Sequence, residues 1–250
     1  MNITSIPPSP LTQPQTLPLR HISAIATERV LVVAPHPDDE ALGCAGAIAL
    51  LAAQGCNVRV LVVSDGIQSH PNSRQYPAPI LRQLRAAETQ SAMAKLGVTS
   101  DRITFMALPD GAIPTLGKID FNAAVDRFSY YLTVVNPQTI FAPCRTDPHP
   151  DHRATWQILH AALAQAKLTS RSIEYPIWDW DPHQRSSTNS TEIPAWRLDI
   201  SQVVELKQQA IAAYRSQTTD LINDDPTGFR LTPELLANFA HPWEIYLEHH

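Results

Sequence analysis

The sequence of 250 residues has no apolar run near the roughly 18–20 residues that a membrane-spanning helix needs. It also lacks a basic patch followed by an apolar core at its N-terminus, the pattern of a secretory signal. Cysteine is scarce: Cys44, Cys56 and Cys144 are odd in number and form no CxxC pair. That argues against a disulfide framework or a cysteine zinc site and makes a reducing, cytoplasmic setting the expectation. There is no excess of positive charge either. With 19 Lys+Arg against 24 Asp+Glu, the formal net charge is -5. A surface of that sign attracts neither nucleic acid nor an anionic membrane. No coiled-coil or other association pattern is visible, so oligomeric state is left open. What is present is 44% hydrophobic and 17% charged residues, the balance of a globular domain with a sizeable core.

Both ends differ from the middle. Residues 1–18 hold five prolines (Pro7, Pro8, Pro10, Pro14, Pro18), which neither pair nor form a helix easily. Residues 1–28 are therefore read as an arm or extended strap outside a single domain over 29–246. The last four residues, Leu247, Glu248, His249 and His250, resemble the start of a vector-encoded histidine tag and are set aside from the functional reading.

From Arg29 onward apolar runs alternate with helical patterns. Val30–Ala34, Val58–Val63, Ile103–Met106 and Thr139–Ala142 read as four strands, the first buried on both faces and the second buried as well. Between and after them, 39–54, 79–96, 118–135 and 151–166 read as helices, with Gly55 and Gly97 placed to end the first two. Strands near 172–178 and 195–200 flank a polar loop at 183–194, and a helix is expected over 201–215. This alternation predicts an α/β fold: a Rossmann-like, open, mostly parallel sheet with helices on both faces.

The chemistry falls at two strand ends. His36-Pro37-Asp38-Asp39-Glu40 follows the first strand, and His149-Pro150-Asp151-His152 follows the fourth. In open α/β sheets ligands bind beyond the carboxyl ends of strands where strand order reverses. An order of 3-2-1-4-5 makes strands one and four neighbours across that point, so both motifs face one crevice. Two neutral imidazoles and a carboxylate, with a fourth position open, suit a catalytic zinc; the same donors also hold Fe2+. Asp38 or Asp39 can take a proton from water, and spacing alone does not say which of them binds metal instead. Each feature has an ordinary reading: Asp before a helix is often an N-cap, and His-Pro-Asp is a common turn. Two such clusters at the ends of two buried strands are harder to explain that way.

At these residues the sequence resembles the LmbE/PIG-L superfamily of zinc-dependent N-acetylglucosaminyl de-N-acetylases. Pro35–Glu40 matches its first signature and His149–His152 its second. Weaker similarities follow at Ser64-Asp65-Gly66, Arg85 with Glu88, Leu108-Pro109-Asp110-Gly111, and Lys207 to Gln217 with its Tyr-Arg-Ser-Gln ending. The resemblance implies that His36, Asp39 and His152 bind zinc and that Asp38 is the general base. It implies that His149 is the charged partner of the intermediate and leaving amine, with Asp151 orienting or tuning it, and that Arg85 and Asp110 lie near sugar hydroxyls. The plainer alternatives are an i,i+3 pair of Arg85 with Glu88 and a Pro-Asp-Gly turn at Asp110. One position departs from the family. Where some members carry a carbonyl-polarising tyrosine, two residues before His149, this sequence has Asp147.

The expected substrate is thus a small N-acetylated amino sugar or its glycoside, from which an acetyl group is hydrolysed. An amidase acting on a larger amide such as a thiol conjugate is the alternative, with Trp178, Trp180 and Trp196 lining a roomy pocket. A non-catalytic carbohydrate-binding protein of the same fold is a third, which the intact Asp38, Asp39, His149 and His152 weigh against.

Overall fold

The computed structural model describes residues 11–181 and 194–248. Eight strands form one sheet: β1 (Leu19–Arg20), β2 (Arg29–Ala34), β3 (Asn57–Ser64), β4 (Ile103–Leu108), β5 (Thr139–Pro143), β6 (Arg171–Tyr175), β7 (Ala195–Asp199) and β8 (Trp243–Leu247). Their order is β1-β7-β8-β6-β5-β2-β3-β4. The expected 3-2-1-4-5 arrangement is the stretch β4-β3-β2-β5-β6, all parallel. β8 runs antiparallel between β6 and β7.

β2 shows why this sheet has two covered faces. Val30, Val32 and Ala34 point into one apolar cluster, while Leu31 and Val33 point into the other. Each Val or Leu so buried contributes about 1.5–3 kcal/mol relative to exposure. One face carries α1 (Asp39–Ala53), α2 (Ala78–Lys95) and α5 (Val204–Ile211); the other carries α3 (Phe121–Val135) and α4 (Pro150–Ala166). α4 begins on Pro150, where a missing N–H costs nothing. Two short helices, α6 (Arg215–Thr218) and α7 (Pro233–Ala237), complete the described elements. No helix among the described residues is long and apolar enough to cross a membrane.

Several sequence expectations need correction. The helix expected over 201–215 breaks after Ile211, because Tyr214 turns inward to give its hydroxyl to Glu40 and Ser216 turns to Glu88. The stretch expected outside the domain contributes to it: Leu19–Arg20 pairs with β7, and Ile22 and Ile25 are buried in the core. At the other end, Leu247 belongs to β8, and Glu248 accepts from Arg171 Nη2 at 2.8 Å. His249 and His250 lie outside the described residues, as does the polar loop at 183–194 except for Pro194.

A polar wedge fixes α1 beneath the site. The Glu244 carboxylate accepts from the Gly46 and Ala47 N–H groups at 2.8 and 2.9 Å. Lys207 Nζ donates to that carboxylate and to the Leu42 carbonyl, each at 2.8 Å. These backbone groups lie mid-helix, where a regular ladder joins Gly46 N–H to the Leu42 carbonyl. Gly43 and Gly46 let the helix approach closely: an added Cβ would come within 2.3 Å of Tyr175 and 2.5 Å of Ile200.

Candidate active site

β2 and β5 lie side by side, with Val30 in register with Thr139 and Val32 with Phe141. The loops leaving their ends therefore bring the two motifs together although they are more than a hundred residues apart in sequence. The rings of His36, His149 and His152 have centroids 4.8–5.3 Å from one another. Asp39 Oδ2 lies between two of them, 3.2 Å from His36 Nδ1 and 3.2 Å from His152 Nε2. Nitrogen or oxygen atoms of His36, His149 and His152, and of His36, Asp110 and Asp151, fall within 4.8 Å of one another.

The donor set fits a divalent cation. His152 is fully buried, and its Nδ1 faces Asp147 Oδ2 at 3.1 Å while Nε2 faces Asp39. Neither contact has hydrogen-bond geometry, so both are read as close ionic approaches. The Asp147 carboxylate beside Nδ1 favours a proton on that nitrogen, which leaves the Nε2 lone pair directed at the site, the usual support of a metal-binding histidine. Burial opposes the His152 imidazolium, but Asp147 and Asp39 outweigh it and lift its pKa to about 9. A cation competes with that proton for the same nitrogen. Burial likewise opposes the Asp39 carboxylate, yet His152 and His36 hold it well below the ordinary carboxylate range.

Asp147 stands where some family members carry a tyrosine. It has no exposed surface, accepts from the His149 N–H at 2.8 Å, and stands behind His152 rather than in the cavity.

Asp38 occupies the N-cap position of α1, but its side chain makes no cap. Its Oδ2 instead accepts from Arg85 Nη2 at 3.0 Å. Arg85 also donates to the carbonyls of Pro37 and Gly66 and does not pair with Glu88, whose carboxylate accepts from Ser216 N and Oγ. Arg85 borders the cavity, yet these bonds engage both of its Nη atoms. Burial raises the Asp38 pKa to about 8 against the pull of Arg85, with Asp39 and Glu40 adding to the rise. The backbone at Asp38 has φ 122, a conformation costly for any residue but glycine.

Asp110 occupies the expected turn and faces the histidine cluster from it. It sits in a turn closed by the Ala112 N–H on the Pro109 carbonyl, with Gly111 at φ 75, and its Oδ1 lies 3.3 Å from His36 Nε2. The Asp151 carboxylate corrects an expectation. It accepts from Gly111 N–H at 2.7 Å and approaches His36 Nε2 at 3.2 Å, so it braces His36 rather than His149. It is the Asp151 N–H that donates to His149 Nδ1, at 3.2 Å. Burial, then the nearby His152 and His36, push the His149 pKa down to about 4. His149 is therefore neutral rather than the charged partner expected and, accepting at Nδ1, carries its proton on Nε2.

These groups line a cavity of about 450 Å³, together with Leu42, Ile177, Trp178, Phe229 and Leu231. Of the three tryptophans singled out in the sequence, only Trp178 borders it. Trp196 is fully buried beside Tyr246, and Trp180 packs near Phe239 and Trp243. The backing role of Asp147 and the lining by Phe229 and Leu231 were missed; an acidic residue just before the second motif was the one available signal.

The family model for PIG-L, GlcNAc-PI de-N-acetylase, matches residues 31–163, just over half of the chain. The chain belongs to the PIG-L family. A probable N-acetyl-alpha-D-glucosaminyl L-malate deacetylase 2 of Bacillus cereus is 28% identical over 203 residues, covering 78% of this PIG-L chain and 86% of that protein. A diacetylchitobiose deacetylase of Thermococcus kodakarensis is 27% identical over 198 residues, covering 76% and 70%. The solved N,N'-diacetylchitobiose deacetylase of Pyrococcus horikoshii superposes with a TM-score of 0.61 at 24% identity, over 77% of this chain and 72% of that one. That last likeness supports the fold. The PIG-L match spans both histidine motifs, Arg85 and Asp110, and ends before β6, so Trp178, Lys207, Tyr214, Phe229 and Glu244 lie outside it.

Proposed function

We propose that this chain is a zinc-dependent hydrolase that removes the acetyl group from an N-acetylglucosamine-type sugar or its glycoside. The observation that carries this reading is the meeting of His36, Asp39 and His152 with Asp38 and His149 at one end of β2 and β5. The names of the PIG-L relatives supply the substrate class. A reducing cytoplasm suits the three free cysteines.

His36, Asp39 and His152 would hold the metal, Asp147 and Asp151 keeping the two imidazoles in place. When bound, such a cation supplies Lewis acidity toward a carbonyl oxygen and lowers the pKa of water. Asp38 takes the proton of the attacking water; a carboxyl with its pKa lifted by burial retains that proton long enough to pass it to the departing amine. Arg85 fixes the Asp38 carboxylate in place. Neutral His149 donates from Nε2 to the acetyl oxygen as it gains charge, the part for which a tyrosine is lacking. The carbon–nitrogen bond then breaks, giving acetate and the free amino sugar. Asp110 and the cavity rim would meet the sugar hydroxyls.

The direct test is acetate release from N-acetylglucosamine and its methyl glycosides after chelation, with zinc or Fe2+ then restored. Acetate that returns with the metal supports the reading. If the protein binds stoichiometric zinc and releases no acetate from any of these sugars, the acetyl-sugar assignment fails and a larger amide takes its place.

A further inference from the structure

Five apolar side chains, Leu42, Ile177, Trp178, Phe229 and Leu231, border the cavity beyond the reacting groups. They form a continuation of the catalytic cluster. Trp178 stacks on His149 at 6.0 Å and 25°, and Phe229 meets Trp178 edge-on at 5.6 Å. Phe229 is 37% exposed, an aromatic ring left partly uncovered at the rim. It is nonetheless held in place. Its N–H donates to the Ser69 carbonyl, Asp225 accepts from Asn72 N–H, and Asp224 accepts from Ser73 Oγ and the N–H groups of Arg74 and Gln75. Gly228 lets this loop lie against His70, where any Cβ would come within 2.2 Å of the ring. An aromatic surface fixed in advance loses little entropy on binding.

Charge narrows what this surface accepts. Among the described residues lining the cavity, Arg85 is the one Lys or Arg, and its Nη atoms donate to Gly66, Pro37 and Asp38. Asp38, Asp39 and Asp110 line the same space. Beyond the groups that would hold the metal, an anionic substituent finds no Lys or Arg among these lining residues but Arg85, which Asp38 already pairs with. A second sugar is less favoured for another reason: Leu42, Ile177, Phe229 and Leu231 offer no side-chain hydrogen-bonding atom, which leaves Gln68 and Ser69 as the uncharged polar side chains of the lining apart from the Trp178 indole N–H, and unpaired hydroxyls are costly to bury.

Building on the proposed deacetylase reading, we infer that Trp178 and Phe229 form the aglycone subsite and that the substrate is an N-acetylglucosaminide carrying an uncharged, apolar, non-carbohydrate aglycone. His149 faces the amide, so its stacked neighbour Trp178 borders the sugar, and Phe229 follows where the glycosidic substituent leaves it. Both aromatic residues lie outside the matched PIG-L segment, on the part of the chain that completes the cavity.

The test compares kcat/KM for phenyl, methyl and malyl N-acetylglucosaminides of one anomeric form, with diacetylchitobiose as a disaccharide. The expected result is a preference for phenyl over methyl of about tenfold or more, chiefly in KM, with malyl and disaccharide below phenyl. Phe229→Ala reduces the phenyl-to-methyl ratio about tenfold. Phe229→Arg, which supplies the missing cation at an exposed position, raises the malyl-to-phenyl ratio. Equal use of phenyl and methyl, a preference for malyl or disaccharide, or a phenyl-to-methyl ratio unmoved by Phe229→Ala overturns the inference while leaving deacetylation intact. Absence of acetate from every glucosaminide, with release of a longer acyl group from N-acyl analogues, overturns the deacetylase reading itself and with it the aglycone subsite.

Discussion

Asp38 holds a backbone conformation that most side chains avoid, and three contacts keep it there. Its N–H reaches Glu40, its carbonyl starts the ladder of α1, and Arg85 grips both its carboxylate and the carbonyl before it. Asp38→Asn preserves size, so the fold and metal content are expected to survive while kcat falls at least about a hundredfold, the scale of general-base loss. Turnover near wild type in a metal-loaded Asp38→Asn protein would remove Asp38 from the reaction. Asp147→Asn should leave the cavity untouched but weaken metal binding by about 10–100-fold, because a neutral amide beside His152 Nδ1 favours a proton there less than a carboxylate does. A chelator-competition titration reads that affinity; an unchanged value would reduce Asp147 to packing. At this scale the histidine motifs were legible because their residue types carry the chemistry. Asp147 was not, since its role depends on being enclosed behind His152.

Among the elements, the stretch from α5 to α6 acts as a strut. Lys207 reaches Glu244, Tyr214 reaches Glu40 and Ser216 reaches Glu88, so three polar bonds tie it to β8, α1 and α2. Lys207 is only 2% exposed, and removing one partner of such a pair leaves the other charge uncompensated. Lys207→Met is expected to cost about 3–5 kcal/mol in urea unfolding, and adding Glu244→Gln should cost less than the sum of the single changes. Strict additivity would show that the two side chains do not act as a unit. The same strut explains what sequence patterns missed. Strands such as β2 announce themselves by uninterrupted apolar residues buried on both faces. β8 does not, because Trp243–Leu247 carries the buried Glu244 whose partners come from distant elements. The helical pattern likewise runs on through Ala212 and Ala213, and the break there is imposed by tertiary bonds of Tyr214 and Ser216.

For the whole molecule, the carboxylates gathered around His36 and His152 make folding sensitive to metal. Asp38, Asp39, Asp110 and Asp151 crowd one end of the sheet, and a bound divalent cation offsets their mutual repulsion. At a metal concentration of about 100 Kd the linkage contributes about 2.7 kcal/mol. For a domain of this size that corresponds to a Tm lowered by about 5–10 °C on chelation. His152→Ala should abolish that metal-dependent difference, and a difference retained in full would place the stabilising cation elsewhere.

The position of β8 also sets an order of events during synthesis. β6 and β7 are made well before residues 243–247, yet β8 is the strand that lies between them. Until those residues leave the ribosome, β6 has an open edge, and Gly46 and Ala47 await their carboxylate. The nascent chain therefore assembles its parallel half first and closes the remainder late, so a ribosome-stalled chain ending before residue 243 should be cut by protease beyond β6 while the β2–β5 region resists. The strand that closes the sheet is thus made well after both histidine motifs.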